Sequence, residues 1–128
     1  MITLSNRNQM GNAKNPYQGK TKKILCVCSA GLLRSPTIAK YLTGKGFNTR
    51  ACGTSQDYAL IPISEALVVW ADEIHVVKEQ EQTIFNILTR MELDVKMVVL
   101  PIPDKYGTFE RELTEIIKDF YERYEEYS

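Results

Sequence analysis

The chain is poor in the residues from which several common chemistries are built. Histidine occurs once, as His75, and cysteine three times, as Cys26, Cys28 and Cys52. With one imidazole, and with Cys26 and Cys28 two apart on what reads as a strand, no zinc centre of ordinary spacing can be assembled. So few cysteines, odd in number, do not make a disulfide scaffold and suit a reducing cytosol. No apolar run approaches the ~20 residues that span a bilayer, and no signal-peptide pattern opens the sequence. Charge of one sign is lacking too. Sixteen Lys and Arg balance sixteen Asp and Glu, so no global field draws the protein to nucleic acid or to an anionic membrane. No internal repeat occurs. The 128 residues are long enough for one domain with a real core.

Residues 1–21 are rich in Asn, Gln, Lys and Gly without apolar periodicity and read as a flexible tail, leaving 22–128 as the folded domain. From there strands and helices alternate. Lys23–Cys28 is a short apolar strand, and Ser35–Lys45 a helix with Ile38, Ala39 and Leu42 inward, ended by Gly44 and Gly46. Phe47–Cys52 forms the second strand. Ile63, Ala66, Leu67 and Trp70 then space as a short amphipathic helix after a loop over Gly53–Pro62. Glu73–Val77 is the third strand, Ile84, Ile87, Leu88 and Met91 mark the next helix, and Lys96–Leu100 is the fourth strand. Beyond a loop over Pro101–Gly107, Leu113, Ile116, Ile117, Phe120, Tyr121 and Tyr124 follow a helical period.

Short apolar strands alternating with amphipathic helices predict an α/β three-layer sandwich. Its four-stranded parallel sheet is expected in the order 2-1-3-4 with helices on both faces. That order places a topological switch point beside the first strand. Ligands bind at the carboxyl ends of strands near such a point, where Cys28 falls.

The segment from Cys28 to Pro36 reads Cys-Ser-Ala-Gly-Leu-Leu-Arg-Ser-Pro. A strand, a tight loop and a helix start in this order form a cradle for a phosphate group, bound by loop amides and by the positive end of a helix dipole. The loop residues Ser29, Ala30, Gly31, Leu32 and Leu33 supply the amides, and Gly31 permits the left-handed turn that curls around an anion. Ser35 and Pro36 suit an N-cap and the first helical position. Arg34 offers a planar fork for two phosphate oxygens. Thiols at helix N-termini become nucleophiles, and Cys28 stands at the base of this cradle with the Ser35 hydroxyl as its hydrogen-bond donor. Alone, a Cys-x5-Arg pattern is equally that of a core cysteine and a surface charge; the flanking strand and Ser-Pro favour chemistry.

These residues resemble the low-molecular-weight protein tyrosine phosphatase family and its relatives, the thioredoxin-coupled arsenate reductases. The family loop, Val-x-Cys-x-Gly-Asn-x-x-Arg-Ser-Pro, appears here as Val27-Cys28-Ser29-Ala30-Gly31-Leu32-Leu33-Arg34-Ser35-Pro36. Ala30 stands in place of glycine and Gly31 in place of the left-handed asparagine, whose bonds across the loop are lost. The family's Ser-Ala-Gly-Thr is matched by Ala51-Cys52-Gly53-Thr54. Its acidic Asp-Pro-aromatic loop is matched by Pro103-Asp104-Lys105-Tyr106, with lysine in place of the proline. The resemblance covers residues 22 to 126. It is closest to a branch of small bacterial and phage-type predicted phosphatases with an Ile-Pro-Asp-x-Tyr segment, here Ile102 to Tyr106.

The resemblance implies a cysteine-dependent phosphomonoester hydrolase with Cys28 as nucleophile, Arg34 as clamp, Ser35 as thiolate partner and Asp104 as general acid. It would proceed through a phosphocysteine and require no metal or organic cofactor. The substrate would be a phosphorylated protein or a small phosphomonoester, with Tyr58 and Tyr106 flanking the entrance. Asp57 is the rival acid, Asp72 reads as a turn residue, and His75 as a core or sheet-face histidine. Arsenate reduction needs two further cysteines after the third strand, and none follows Cys52. A non-catalytic phosphate- or phosphopeptide-binding module is the other alternative. The family's redox-guarding second loop cysteine is absent, since Leu33 occupies its position.

Overall fold

A computed structural model describes residues 22–30, 33–103 and 110–127. The first strand, β1 (Lys23–Cys28), is buried at every position. A run with apolar side chains on both alternating faces needs cover on both, and only the centre of a parallel sheet supplies it. Around it lie α1 (Arg34–Gly44), β2 (Asn48–Gly53), α2 (Glu65–Trp70), β3 (Glu73–Val77), α3 (Glu81–Met91), β4 (Lys96–Leu100) and α4 (Glu110–Tyr121). The sheet has the order β2-β1-β3-β4 with all pairs parallel, the order the sequence predicts.

The pleat of β1 divides the interior in two. Ile24, Cys26 and Cys28 join Ile38 and Leu42 of α1 and Leu113, Ile117, Phe120 and Tyr121 of α4. Leu25 and Val27 join Val68 of α2 and Ile84 and Leu88 of α3 on the other face. Three layers result. No helix among the described residues is long and apolar enough to cross a membrane.

Boundaries depart from the sequence reading where side chains find tertiary partners. The first helix starts at Arg34, so Leu33 takes the N-cap position without a side-chain bond. Ser35 is therefore inside the first turn and is not the cap: its hydroxyl points inward, donating to the Cys52 carbonyl at 3.1 Å. Pro36 falls third in the helix, where its missing N–H is still costless. At the other end Phe47 N–H donates to Leu42 O and Gly46 N–H to Thr43 O, closing α1 with Gly46 at φ +99°. In α2 the buried residue is Val68, while Ala66, expected inward, is exposed. Tyr124 lies beyond α4 and is exposed.

The amino-terminal edge of the sheet carries a buried polar cluster. Glu73 is buried, with Lys22 Nζ at 2.7 Å, Lys96 Nζ at 3.8 Å and the Tyr127 hydroxyl donating at 2.6 Å. His75 is fully buried in mid-strand, as expected of a core histidine. Its Nε2 lies 2.9 Å from Glu73 Oε1 and its Nδ1 lies 2.6 Å from the Tyr121 hydroxyl. A neutral ring satisfies both contacts, donating from Nε2 and accepting at Nδ1. Asp72 accepts from the Lys23 N–H at 2.9 Å, tying the loop before β3 to the start of β1.

This cluster fixes how stability depends on pH. Burial alone would raise the Glu73 carboxyl, but hydrogen bonds from His75, Lys22 and Tyr127 and the charge of Lys22 outweigh it and hold it at about 2. Burial pushes His75 below the ordinary imidazole range, against the pull of Glu73. Both groups take protons more readily when unfolded. Their stabilisation is complete above the unfolded pKa values of about 6.5 and 4.5 and is lost as pH falls below each. Thermal melts should show Tm falling as pH drops from 7 toward 3, first as His75 and then as Glu73 takes up a proton. A Tm that is flat across that range would refute the assignment.

Candidate active site

The carboxyl ends of the strands gather the residues singled out by the sequence. Cys28 ends β1 and is only 2% exposed. Its thiol donates to Ser35 Oγ at 3.2 Å, while the Ser35 hydroxyl donates onward to the Cys52 carbonyl. On ionisation of the thiol, that same hydroxyl can rotate its proton toward sulfur, so one side chain serves both states. β2 continues as a ladder past its last residue: Thr54 N–H donates to Cys28 O and Ser55 N–H to Ser29 O, each at 2.9 Å. The first residues of the loop after β1 are thus held as an extension of the sheet. Ser29 and Ala30 are half-buried, and Leu33 packs against the core between α1 and α4.

Arg34 opens α1 with 3% of its surface exposed. Its guanidinium donates from one nitrogen to the Ile102 carbonyl at 3.0 Å. From the other it donates to Ser29 Oγ at 3.3 Å and to the carboxylate of Glu79. A long cationic side chain on a helix N-terminus does not bury itself without compensation. The compensation comes from two other strands: Glu79 follows β3 and Ile102 follows β4. Those segments also form a depression of about 350 Å³ lined by Lys78, Glu79, Pro101, Ile102 and Pro103. The first turn of α1 carries no acidic residue to offset its positive end.

Glu79 was not among the residues the sequence reading singled out. Its signal was topological: it comes two residues after a buried strand, at the edge where Cys28 and Arg34 emerge. Tyr58 is 79% exposed on a turn secured by its own N–H donating to Ser55 Oγ at 3.1 Å. Since Ser55 pairs with Ser29, this turn and exposed Asp57 within it border the loop. Gly31, Leu32, Asp104 and Tyr106 lie outside the described residues.

The remaining thiols are unsuited to nucleophilic work. Burial, then the neighbouring cysteines, push Cys26 far up, and burial together with Cys28 pushes Cys52 up to about 12. Cys28 belongs to the core on the α1 and α4 face, Cys52 to the core on the other face.

Comparison with known proteins bears on this arrangement through fold. No protein-family model matches the chain, and no curated protein does. Solved structures do. A low molecular weight protein tyrosine phosphatase from Streptococcus pyogenes superposes with a TM-score of 0.61 at 14% identity, covering 80% of this chain and 93% of its own. The tyrosine phosphatase AmsI of Erwinia amylovora gives 0.60 at 16%, covering 84% and 91%. The YwlE arginine phosphatase of Geobacillus stearothermophilus gives 0.55 at 15%, covering 80% and 92%. The chain shares the fold of these phosphatases over nearly their whole length.

Proposed function

We propose that this chain is a cysteine-dependent phosphomonoester hydrolase of the protein-tyrosine-phosphatase type. The observation that carries the reading is Cys28 at the carboxyl end of the central strand, 3.2 Å from Ser35 Oγ, with a buried, fixed guanidinium, that of Arg34, at the start of the following helix. A phosphate dianion suits the positive end of the helix and the planar donor fork of Arg34.

In this mechanism the Cys28 thiolate attacks phosphorus in line and the bond to the leaving oxygen breaks. Asp104 donates the proton that oxygen needs, leaving a phosphocysteine. Asp104 then takes a proton from water, the new oxygen–phosphorus bond forms, and the sulfur leaves as a thiolate stabilised by the Ser35 hydroxyl. Arg34 and the amides of Ser29 to Leu33 bear the equatorial oxygens, the largest contribution in a transfer that mostly demands positioning. The chemistry needs no metal or organic cofactor. The depression beside Glu79 and Ile102 gives a leaving group room, and Tyr58 and Tyr106 are the proposed entrance residues. A phosphorylated protein or a small phosphomonoester in the cytosol is the substrate class.

The test is phosphate release from p-nitrophenyl phosphate between pH 4.5 and 8, with acid-quenched mass spectrometry of the Cys28 peptide. Turnover with a phosphorylated Cys28 peptide supports the reading. Comparing Asp104→Asn with Asp57→Asn assigns the acid to whichever loses rate. Vanadate binding without turnover in the wild type would make the chain a binding module instead.

Oxidation offers an independent check. Leu33 stands where a guarding thiol would be, and neither Cys26 nor Cys52 supplies a thiolate at neutral pH. A sulfenic acid formed on Cys28 therefore has no resolving partner and proceeds to irreversible states. Peroxide-inactivated enzyme should regain only a minor part of its activity with dithiothreitol; full recovery would refute this.

A further inference from the structure

The ladder between β1 and β3 ends at Val27 and Val76, one residue short of Cys28, whereas the ladder with β2 runs through Cys28 and Gly53. Beyond that level β3 pairs with β4, Val77 against Leu100. The main-chain pairing of Cys28 is thus on the β2 side, through Thr54 N–H, while its ladder with β3 stops one residue earlier. Side chains take over. β1 lies between β2 and β3, so their ends are two strand spacings apart, about 10 Å. Thr54, the first residue after β2, donates its hydroxyl to the side-chain carbonyl of Gln80, the third after β3, at 2.8 Å. This bond crosses the carboxyl end of β1, where Cys28 stands.

Both partners belong to segments that already touch the site. Thr54 N–H holds the Cys28 carbonyl, and Glu79, adjacent to Gln80, holds the Arg34 guanidinium. We infer that the Thr54–Gln80 bridge is a positioning device. It fixes the spacing between the segment that seats Cys28 and the segment that orients Arg34, so that nucleophile and clamp meet one phosphoryl group. The inference rests on the phosphatase reading and adds to it two residues that act through others.

The experiment compares wild type with Thr54→Val, Gln80→Met, the double variant and Thr54→Ser. It reads kcat and KM for p-nitrophenyl phosphate, vanadate affinity by calorimetry, and Tm. Each single loss of the bridge should lower kcat/KM about tenfold, mostly in kcat, because misplacement by a fraction of an ångström acts on the transition state. Tm should shift by only a few degrees. The double variant should be no worse than either single one, since the two side chains make one contact. Thr54→Ser, which keeps the hydroxyl, should restore wild-type behaviour. Additive losses, unchanged kcat/KM, or a serine variant as impaired as valine would overturn the inference. If the wild type binds vanadate without turnover, the phosphatase reading fails alone, and a tenfold non-additive loss of vanadate affinity sustains the bridge. If it neither binds vanadate nor turns over, both fall.

Discussion

Cys28→Ser should reduce phosphate release by at least ~10⁴-fold while leaving the fold intact, because it removes the nucleophile of the proposed reaction. Serine is smaller than cysteine and suits a position that is 2% exposed. Its hydroxyl can also exchange hydrogen bonds with Ser35 as the thiol does. What it lacks is an accessible anion. The adjoining Ser35 hydroxyl is no base for an alcohol, since it donates to a backbone carbonyl. The variant should therefore bind vanadate, melt near the wild-type temperature and release no phosphate above background. Residual turnover within a hundredfold of wild type would remove Cys28 from the mechanism.

Arg34→Lys is the second large effect, with an expected loss of about 10³-fold in kcat/KM, the range seen when a planar cation is removed from phosphoryl transfer. Charge is kept, so any loss measures geometry. The guanidinium spreads its donors over Ile102 O, Ser29 Oγ and Glu79, and these contacts hold its plane before a ligand arrives. An ammonium offers no fork. It would satisfy Glu79 and leave the Ile102 carbonyl without its donor, at a cost of about 1–2 kcal/mol in stability. Vanadate affinity should fall with kcat/KM. A lysine variant within tenfold of wild type would mean that Arg34 serves the fold and not the transition state.

The fold was legible because its strands speak plainly. Lys23–Cys28, Glu73–Val77 and Lys96–Leu100 have the bounds expected from the sequence alone, since each is a short, mostly apolar run between segments of helical spacing. Helix ends were less legible. Ser35 carries every local mark of an N-cap, yet its hydroxyl is taken by Cys28 and Cys52, partners that only tertiary structure brings near. Ala66 fits a helical stripe, but in so short a helix the sheet decides which side is buried, and it chose Val68. At the candidate site, Cys28, Arg34 and Ser35 were readable because eight consecutive residues carry them. Glu79, Gln80 and the Ile102 carbonyl were not, because other strands place them, the first two by β3 and the third by β4. Their contacts become visible only once the order of strands is known.

The position of the Glu73–His75 cluster at the opposite edge of the sheet from Cys28 has a kinetic consequence. Acid can act on this protein at two places about one strand length apart, and the two responses run on separate clocks. In the proposed reaction, protonation at the carboxyl edge would alter the rate within a turnover and reverse as quickly when the buffer is changed back. Protonation at the amino edge withdraws support from Tyr127 and Tyr121, and its effect grows with incubation time. A pH profile taken from initial rates will describe the reaction, whereas one taken after an hour in acid will describe the survival of the molecule.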